Sequence, residues 1–276
     1  MKNQKKINVV YVHSHDTGRY VQPYGVAVPT PNIQRFAEQG VLFTEAFSCA
    51  PTCSASRASL LTGQISHSCG QFGLVNRGFE LRDKEKHLAS FLGSNGFHTV
   101  SVGTHHVVQD PLQVGYAERM QSDWTGPLTG DHNSADNAVK FLANPTSEPF
   151  FLSIGFGNTH RNFPDAGEQE DARYCAPPLP LPNTPEIRKD MAEFKASARV
   201  LDNCMGKIFD AIEENGLSEN TLVVCTTDHG IAFPKMKCNL TDHGTGVMLI
   251  MRGPNGLVGG TAMRESEHSQ HGSPRV

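Results

Sequence analysis

Cys53 and Arg57 stand one helical turn apart in the run Cys53-Ser54-Ala55-Ser56-Arg57-Ala58-Ser59-Leu60-Leu61-Thr62-Gly63. Pro51 and Thr52 break the chain just before this run, and the residues that follow suit a helix. The sulfur is therefore expected near a helix N-terminus, where free N–H groups and the helix dipole favour an anion or a developing oxyanion. An arginine four residues on can bring its guanidinium to the same spot. A lone cysteine is usually a buried structural residue, so its company decides the reading. Four polar clusters supply that company: His15-Asp16-Thr17-Gly18, Gly103-Thr104-His105-His106, Asn158-Thr159-His160-Arg161 and Asp228-His229-Gly230. A single loop His or Asp is usually a cap or a solvated residue. Carboxylates and imidazoles gathered repeatedly at one sheet edge are what a divalent-metal site requires.

Each cluster follows a short β-branched run, and these runs alternate with helical patterns. Expected strands are Asn8–Val12, Val41–Ala46, Thr99–Val102, Phe150–Phe156, Thr221–Thr226 and Val247–Met251. Expected helices are Asn32–Gln39, Ser56–Thr62, Lys86–Ser94, Ser134–Ala143 and a long one from Glu186 to Asn215. In the last, Met191, Phe194, Ala198, Leu201, Met205, Ile208 and Ile212 recur at spacings of three and four, one apolar stripe that Gly216 can end. Such alternation predicts an α/β sandwich with a mostly parallel sheet covered by helices on both faces. Sites in such sheets form beyond the carboxyl ends of the strands. The segment from Phe163 to Pro185 reads as a long surface excursion, and no internal repeat is evident.

With 276 residues, 38% of them hydrophobic and 19% charged, the chain can bury one large core. Net charge −4 without a Lys/Arg block argues against nucleic acid as a partner. No apolar run is long enough to span a membrane. The N-terminal Ile7–Val12 run ends in His13-Ser14-His15-Asp16 and reads as a core strand, so a cytoplasmic protein is expected. Seven irregularly spaced cysteines with no Cys-x-x-Cys pair fit reduced thiols.

The run Cys53-x-x-x-Arg57-x-x-Leu60-x-Thr62-Gly63 resembles the activation signature of type I sulfatases, and at average residue usage such a match arises by chance on the order of once in ten thousand chains of this length. Ala55 stands where Pro is commoner in that family. The resemblance covers residues 7 to 254 and implies an alkaline-phosphatase-like sandwich. It implies that Cys53 is oxidised by a formylglycine-generating enzyme to formylglycine, whose hydrated aldehyde is the nucleophile. By the same match His15, Asp16, Asp228 and His229, with the residue-53 oxygen, would hold one divalent metal. The family metal is calcium. Two imidazoles in this set move preference toward manganese, iron or zinc, unless His15 stands behind the ligands.

His106 matches a histidine that assists sulfate release, and Thr104 stands where the same motif has a sulfate-binding lysine. His105 could replace part of that charge if protonated. His160 matches the general acid for the leaving group. Lys237, with Lys235 as its competitor, matches a residue that grips sulfate oxygens. Asp228 to Pro234, Asn239-Leu240, Gly73-Leu74 and Pro182 to Pro185 are most similar to the sulfamidase (N-sulfoglucosamine sulfohydrolase)-like branch, which implies a small sulfated substrate, a sulfated sugar. Family members continue into a smaller C-terminal sheet that this chain is expected to lack. Residues 1–260 are read as the catalytic domain and 261–276 as a disordered tail. Two alternatives stay open: a phosphate or phosphonate ester hydrolase of the same superfamily, and a truncated, inactive sulfatase that only binds its ligand.

Overall fold

Val10 and Val12 face one apolar cluster while Val9 and Tyr11 face another. A strand apolar on both sides belongs inside a sheet covered on both faces. The computed structural model, which describes residues 7–120, 127–147, 149–254, 257 and 259–263, places it there. The strands are β1 (Asn8–Ser14), β2 (Val41–Phe43), β3 (Ala46–Phe47), β4 (His98–Gly103), β5 (Glu118–Met120), β6 (Phe150–Gly155), β7 (Thr221–Thr227), β8 (Gly246–Val247), β9 (Leu249–Arg252) and β10 (Thr261–Met263). The helices are α1 (Pro31–Gln39), α2 (Cys53–Thr62), α3 (Ser66–Cys69), α4 (Leu88–Ser94), α5 (Pro127–Ala143), α6 (Pro185–Glu214) and α7 (Asp242–Thr245).

Eight strands form one sheet in the order β10-β2-β9-β7-β1-β6-β4-β5, and β3 pairs with β8 separately. The run β7-β1-β6-β4-β5 is parallel throughout, and β9 is antiparallel to both β7 and β2. Helices α1, α5 and α6 close one face through Phe36, Leu142, Leu201 and Ile208. The other face is closed by α2, α3 and α4 through Ala58, Leu61, Cys69 and Ala89. The parallel register sets the ends of β1, β6 and β7 level, with His13 paired to both Gly155 and Thr226. Their polar clusters are thereby delivered to one edge.

Several boundaries differ from the sequence reading. The run expected at 41–46 is split into β2 and β3, and that at 247–251 into β8 and β9 around Met248, whose N–H donates to the Gly18 carbonyl. Edge strand β5 has no apolar run to announce it, because it is held by backbone pairing to β4. The expected disordered tail begins too early. Thr261–Met263 pairs in parallel with Val41–Phe43, a contact that needs only backbone groups, whereas residues 264–276 lie outside the described residues. The excursion after Phe163 is irregular apart from a turn at Ala172–Tyr174, and Phe163, Cys175 and Leu181 pack it against α6. All seven cysteines are unpaired.

The helix expected from Lys86 starts at Leu88, because His87 acts as its cap. His87 is fully buried, and its Nδ1 accepts the Ala89 N–H at 3.1 Å. An acceptor Nδ1 requires a neutral ring, and burial pushes the His87 pKa down to about 4. The unfolded chain, with a histidine near 6.5, then binds the proton first. Stability is fully present above pH 6.5 and drains away as pH falls toward 4, by on the order of 3 kcal/mol from this residue. His87→Asn keeps a cap acceptor without the proton uptake. Thermal melts between pH 4 and 7 are expected to show a shallower acid loss in the variant, and equal slopes would contradict the assignment.

Candidate active site

Helix α2 begins at Cys53, three residues earlier than the apolar pattern indicates, with Thr52 extended ahead of it. Eight of its ten residues are buried, and Cys53 itself is 1% exposed. Two hydroxyls fasten it in place: Ser56 Oγ donates to the Asp228 carbonyl, and Ser54 Oγ accepts the Val75 N–H at 3.1 Å. Arg57 is wholly buried, and Nη2 donates to Asp228 Oδ2 at 3.0 Å and to the Ser14 carbonyl at 2.8 Å. Nη1 donates to His13 Nδ1. The hydrogen bonds of Arg57 thus go to Asp228 and the end of β1, and it meets the site through that carboxylate.

Asp16 and Asp228, at the ends of β1 and β7, are almost fully buried side by side. The Asp16 N–H donates to Asp228 Oδ1 at 2.8 Å, a contact made possible by a left-handed backbone at Asp16 (φ 53°). Cys53 Sγ lies 3.8 Å from Asp16 Oδ1 and 3.2 Å from His229 Nε2. His229 Nε2 is in turn 3.1 Å from Asp16 Oδ1. The ring of His229 is fixed by Nδ1, which sits 2.9 Å from the Gly230 carbonyl and must donate to it. His15 Nδ1 is 3.0 Å from Asp228 Oδ2 but makes no well-angled hydrogen bond. Ligand atoms of His15, Asp16, Cys53 and Asp228 all lie within 4.8 Å of one another, and all four residues are buried.

Charge compensation dominates this cluster. Burial opposes ionisation of Asp16, yet the adjacent His15 ring and the His229 and Lys237 charges win and hold it at about 2. Burial likewise opposes ionisation of Asp228, which His229, Arg57 and His15 keep far below the usual carboxylate range. The reciprocal effect lifts His229 to about 9 against its burial, chiefly through Asp228, and His15 also rises. Burial and Asp228 would raise the Cys53 thiol, but the nearby imidazoles of His106, His15 and His229 bring it down to about 4. The site holds two carboxylates and a thiolate among protonated imidazoles and fixed cations.

A cavity of about 640 Å³ opens above this cluster, and His15, Thr104, His106, His160, Asn76 and Gln109 are among its lining residues. His106 has a left-handed backbone (φ 60°), and its ring centroid stands 5.3 Å from that of His15. His160 presents its ring edge to His15 at 5.5 Å, with Nε2 3.9 Å from Asp16 Oδ2. Lys237 Nζ donates to Asp16 Oδ2 at 2.6 Å, whereas Lys235 is exposed. Of the two lysines, Lys237 is the one that reaches the cluster. Thr104 sits where β4 and β6 nearly touch, since a Cβ on Gly155 would lie 1.8 Å from the Thr104 carbonyl.

His105 is not in this cavity. It is 6% exposed and packs under α4 against His87 and Tyr116, each at 5.4 Å between centroids. Burial, with the adjoining His87 ring and the Arg57 guanidinium, keeps its pKa well below the usual value, so it is neutral. The charge expected of it beside Thr104 is absent, because adjacent residues here leave on opposite sides of the chain. Asn76, in a single 3-10 turn at Val75–Arg77, and Gln109, in the stretch after His106, belong to no chemical motif of their own. Asp131 was also missed; it is 1% exposed on α5 and binds the loop that carries His160.

A family model described as Sulfatase matches residues 7–272. The chain is 30% identical over 260 residues to human N-sulphoglucosamine sulphohydrolase, covering 83% of this chain and 51% of that protein. It is 24% identical to an ulvan-active sulfatase of Formosa agariphila, covering 95% of this chain and 50% of the relative. The chain thus spans about half the length of these curated relatives. Among solved structures, a phosphonate monoester hydrolase from Silicibacter pomeroyi superposes with a TM-score of 0.73 at 19% identity, covering 94% of this chain and 70% of the other. A protein solved with its substrate D-glucosamine-2-N,6-O-disulfate gives a TM-score of 0.74 at 17% identity, covering 94% and 73%. These neighbours share the alkaline-phosphatase-like fold. The chain belongs to the sulfatase family.

Proposed function

We propose that this chain hydrolyses sulfate esters or sulfamates on a small sulfated sugar, with Cys53 converted to formylglycine and one divalent cation bound. The observation that carries this reading is the convergence of Cys53 Sγ with Asp16, Asp228, His15 and His229 beneath a cavity walled by His106 and His160. The donor set fits a cation: two buried carboxylates, a His15 Nδ1 without a well-angled partner, and a His229 Nε2 aimed inward by its Nδ1 contact. Asp16, Asp228, His15 and His229 would hold it. The bound cation and the oxidised residue 53 would together supply a stabilised oxygen nucleophile.

The remaining roles belong to side chains already in place. Arg57 fixes Asp228 in the orientation the site needs. Lys237 Nζ, beside Asp16, is positioned to donate to a sulfate oxygen. His160 donates the proton that the departing sugar oxygen or nitrogen requires, and His106 takes up a proton as sulfate is released. The amides of Asn76 and Gln109 on the cavity wall suit sugar hydroxyls. The sulfated amino sugar is favoured as substrate by the 30% identity to the human sulphohydrolase.

A phosphonate or phosphate ester is the second reading, kept by Thr104 in place of the motif lysine and by the fold likeness to the phosphonate monoester hydrolase. Parallel assays with aryl sulfate and aryl phosphate separate the two, and faster turnover of the phosphate would reverse the order. Calcium is the proposed metal, with manganese, iron or zinc as the competitors that nitrogen ligands favour.

Replacing Cys53 by Ala is expected to lower turnover by roughly a thousandfold or more while the cooperative melt persists. Surviving activity in that variant would remove residue 53 from the chemistry. Chelation followed by dialysis should abolish turnover, and calcium should restore it with about one ion bound per chain by elemental analysis. Restoration by manganese but not calcium would replace the metal assignment. Lys237→Met removes a charged contact to sulfate and is expected to raise KM roughly ten- to a hundredfold. An unchanged KM would show that Lys237 serves only Asp16.

A further inference from the structure

Asp131 lies on α5, outside every motif that points to sulfate chemistry, yet its carboxylate is 1% exposed and receives three hydrogen bonds from one loop. The Gly157 N–H donates to Oδ1 at 2.6 Å, and the Asn158 N–H and side-chain Nδ2 donate to Oδ2 at 2.8 and 2.7 Å. Asn158 Oδ1 accepts from Ser197 Oγ of α6 at 2.6 Å. Buried polar groups must be paired, and a carboxylate is the side chain that can accept from all three donors at once.

The loop held this way carries His160 and also reaches the metal-site strand. The Asn158 carbonyl accepts the His15 N–H at 3.1 Å, the Thr159 N–H donates back to the His15 carbonyl at 2.7 Å, and the His160 N–H donates to the Gly157 carbonyl at 2.9 Å. Thr159 Oγ1 adds contacts to the carbonyls of His15 and Asp16. The side chain of His160, by contrast, is half exposed, and its two ring contacts, Nδ1 with the neighbouring Arg161 carbonyl and its edge with His15, are set by where the loop backbone runs. Its position is therefore inherited from the backbone of residues 157–160. We propose that Asp131 is a positioning residue for His160, a buried acceptor that sets the loop so that the imidazole stands over the leaving atom. This rests on the reading of His160 as the proton donor.

An asparagine at 131 presents an NH₂ where a carboxylate oxygen was, so at least one of the three donors loses its acceptor. A displacement of the order of 1 Å costs up to about a hundredfold where geometry matters. Proton donation matters most for a poor leaving group. With the full-length chain after maturation, Asp131→Asn is expected to lose about tenfold more kcat on an unactivated sugar sulfate than on 4-nitrophenyl sulfate, with KM little changed. His160→Ala should show the same discrimination, and the double variant should be no worse than His160→Ala on the sugar sulfate. Equal losses of Asp131→Asn on both substrates would mark a merely structural role and overturn the proposal. If His160→Ala itself fails to discriminate, the proton-donor reading falls and takes this proposal with it. Ser197→Ala, which loosens the same loop from the other end, is the milder variant should Asp131→Asn not fold, and it should discriminate in the same sense. Amide exchange supplies a readout independent of turnover: in Asp131→Asn, Gly157 and Asn158 should exchange faster than the β6 amides, and unchanged protection would contradict the proposal.

Discussion

Two carboxylates buried at one end of a parallel sheet are the constraint around which the rest of the structure is arranged. Asp16 and Asp228 sit within one hydrogen bond of each other and away from solvent. Removing one such ion from water costs several kcal/mol, and like charges at this distance repel. The fold answers with Arg57 and Lys237 on the outer oxygens and with imidazoles between. Each of these partners needs its own support. Arg57 is supported by His13 and the Ser14 carbonyl, His229 by the Gly230 carbonyl, and α2 by Ser56 on the Asp228 carbonyl.

The sheet makes that arrangement affordable in backbone terms. Parallel strands β7, β1 and β6 end level, so the residues beyond them meet without long excursions. Three short loops then supply Asp228 and His229, His15 and Asp16, and His160, while the loop after β4 supplies Thr104 and His106. Helix α2 enters from the opposite face with the cysteine at its first turn. The neighbouring imidazoles now share the charge of the carboxylates, and a cation bound among them would have to displace their protons.

Core strands were legible because a parallel strand buried on both faces must be a nearly continuous apolar run, as in Phe150–Gly155. The motif around Cys53 was legible because spacing along one helix turn survives into the fold. Three-residue elements placed chiefly by backbone pairing left no such trace, which is why β5 and β10 went unread. Neighbouring histidines were also indistinguishable in sequence. A left-handed backbone at His106 sends it to the cavity, while His105 is buried beside Tyr116. The target of Arg57 and the role of Asp131 depend on partners 171 and 27 residues away. No local pattern encodes such distances.

Everything proposed for the chemistry turns on what residue 53 becomes. The most direct measurement is the mass of the peptide containing residue 53, taken from chain co-expressed with a formylglycine-generating enzyme and matched to turnover in the same preparations. The expected result is an aldehyde in place of the thiol, with sulfate release rising in proportion to the fraction converted. A preparation that releases sulfate while Cys53 remains wholly a thiol would contradict the account.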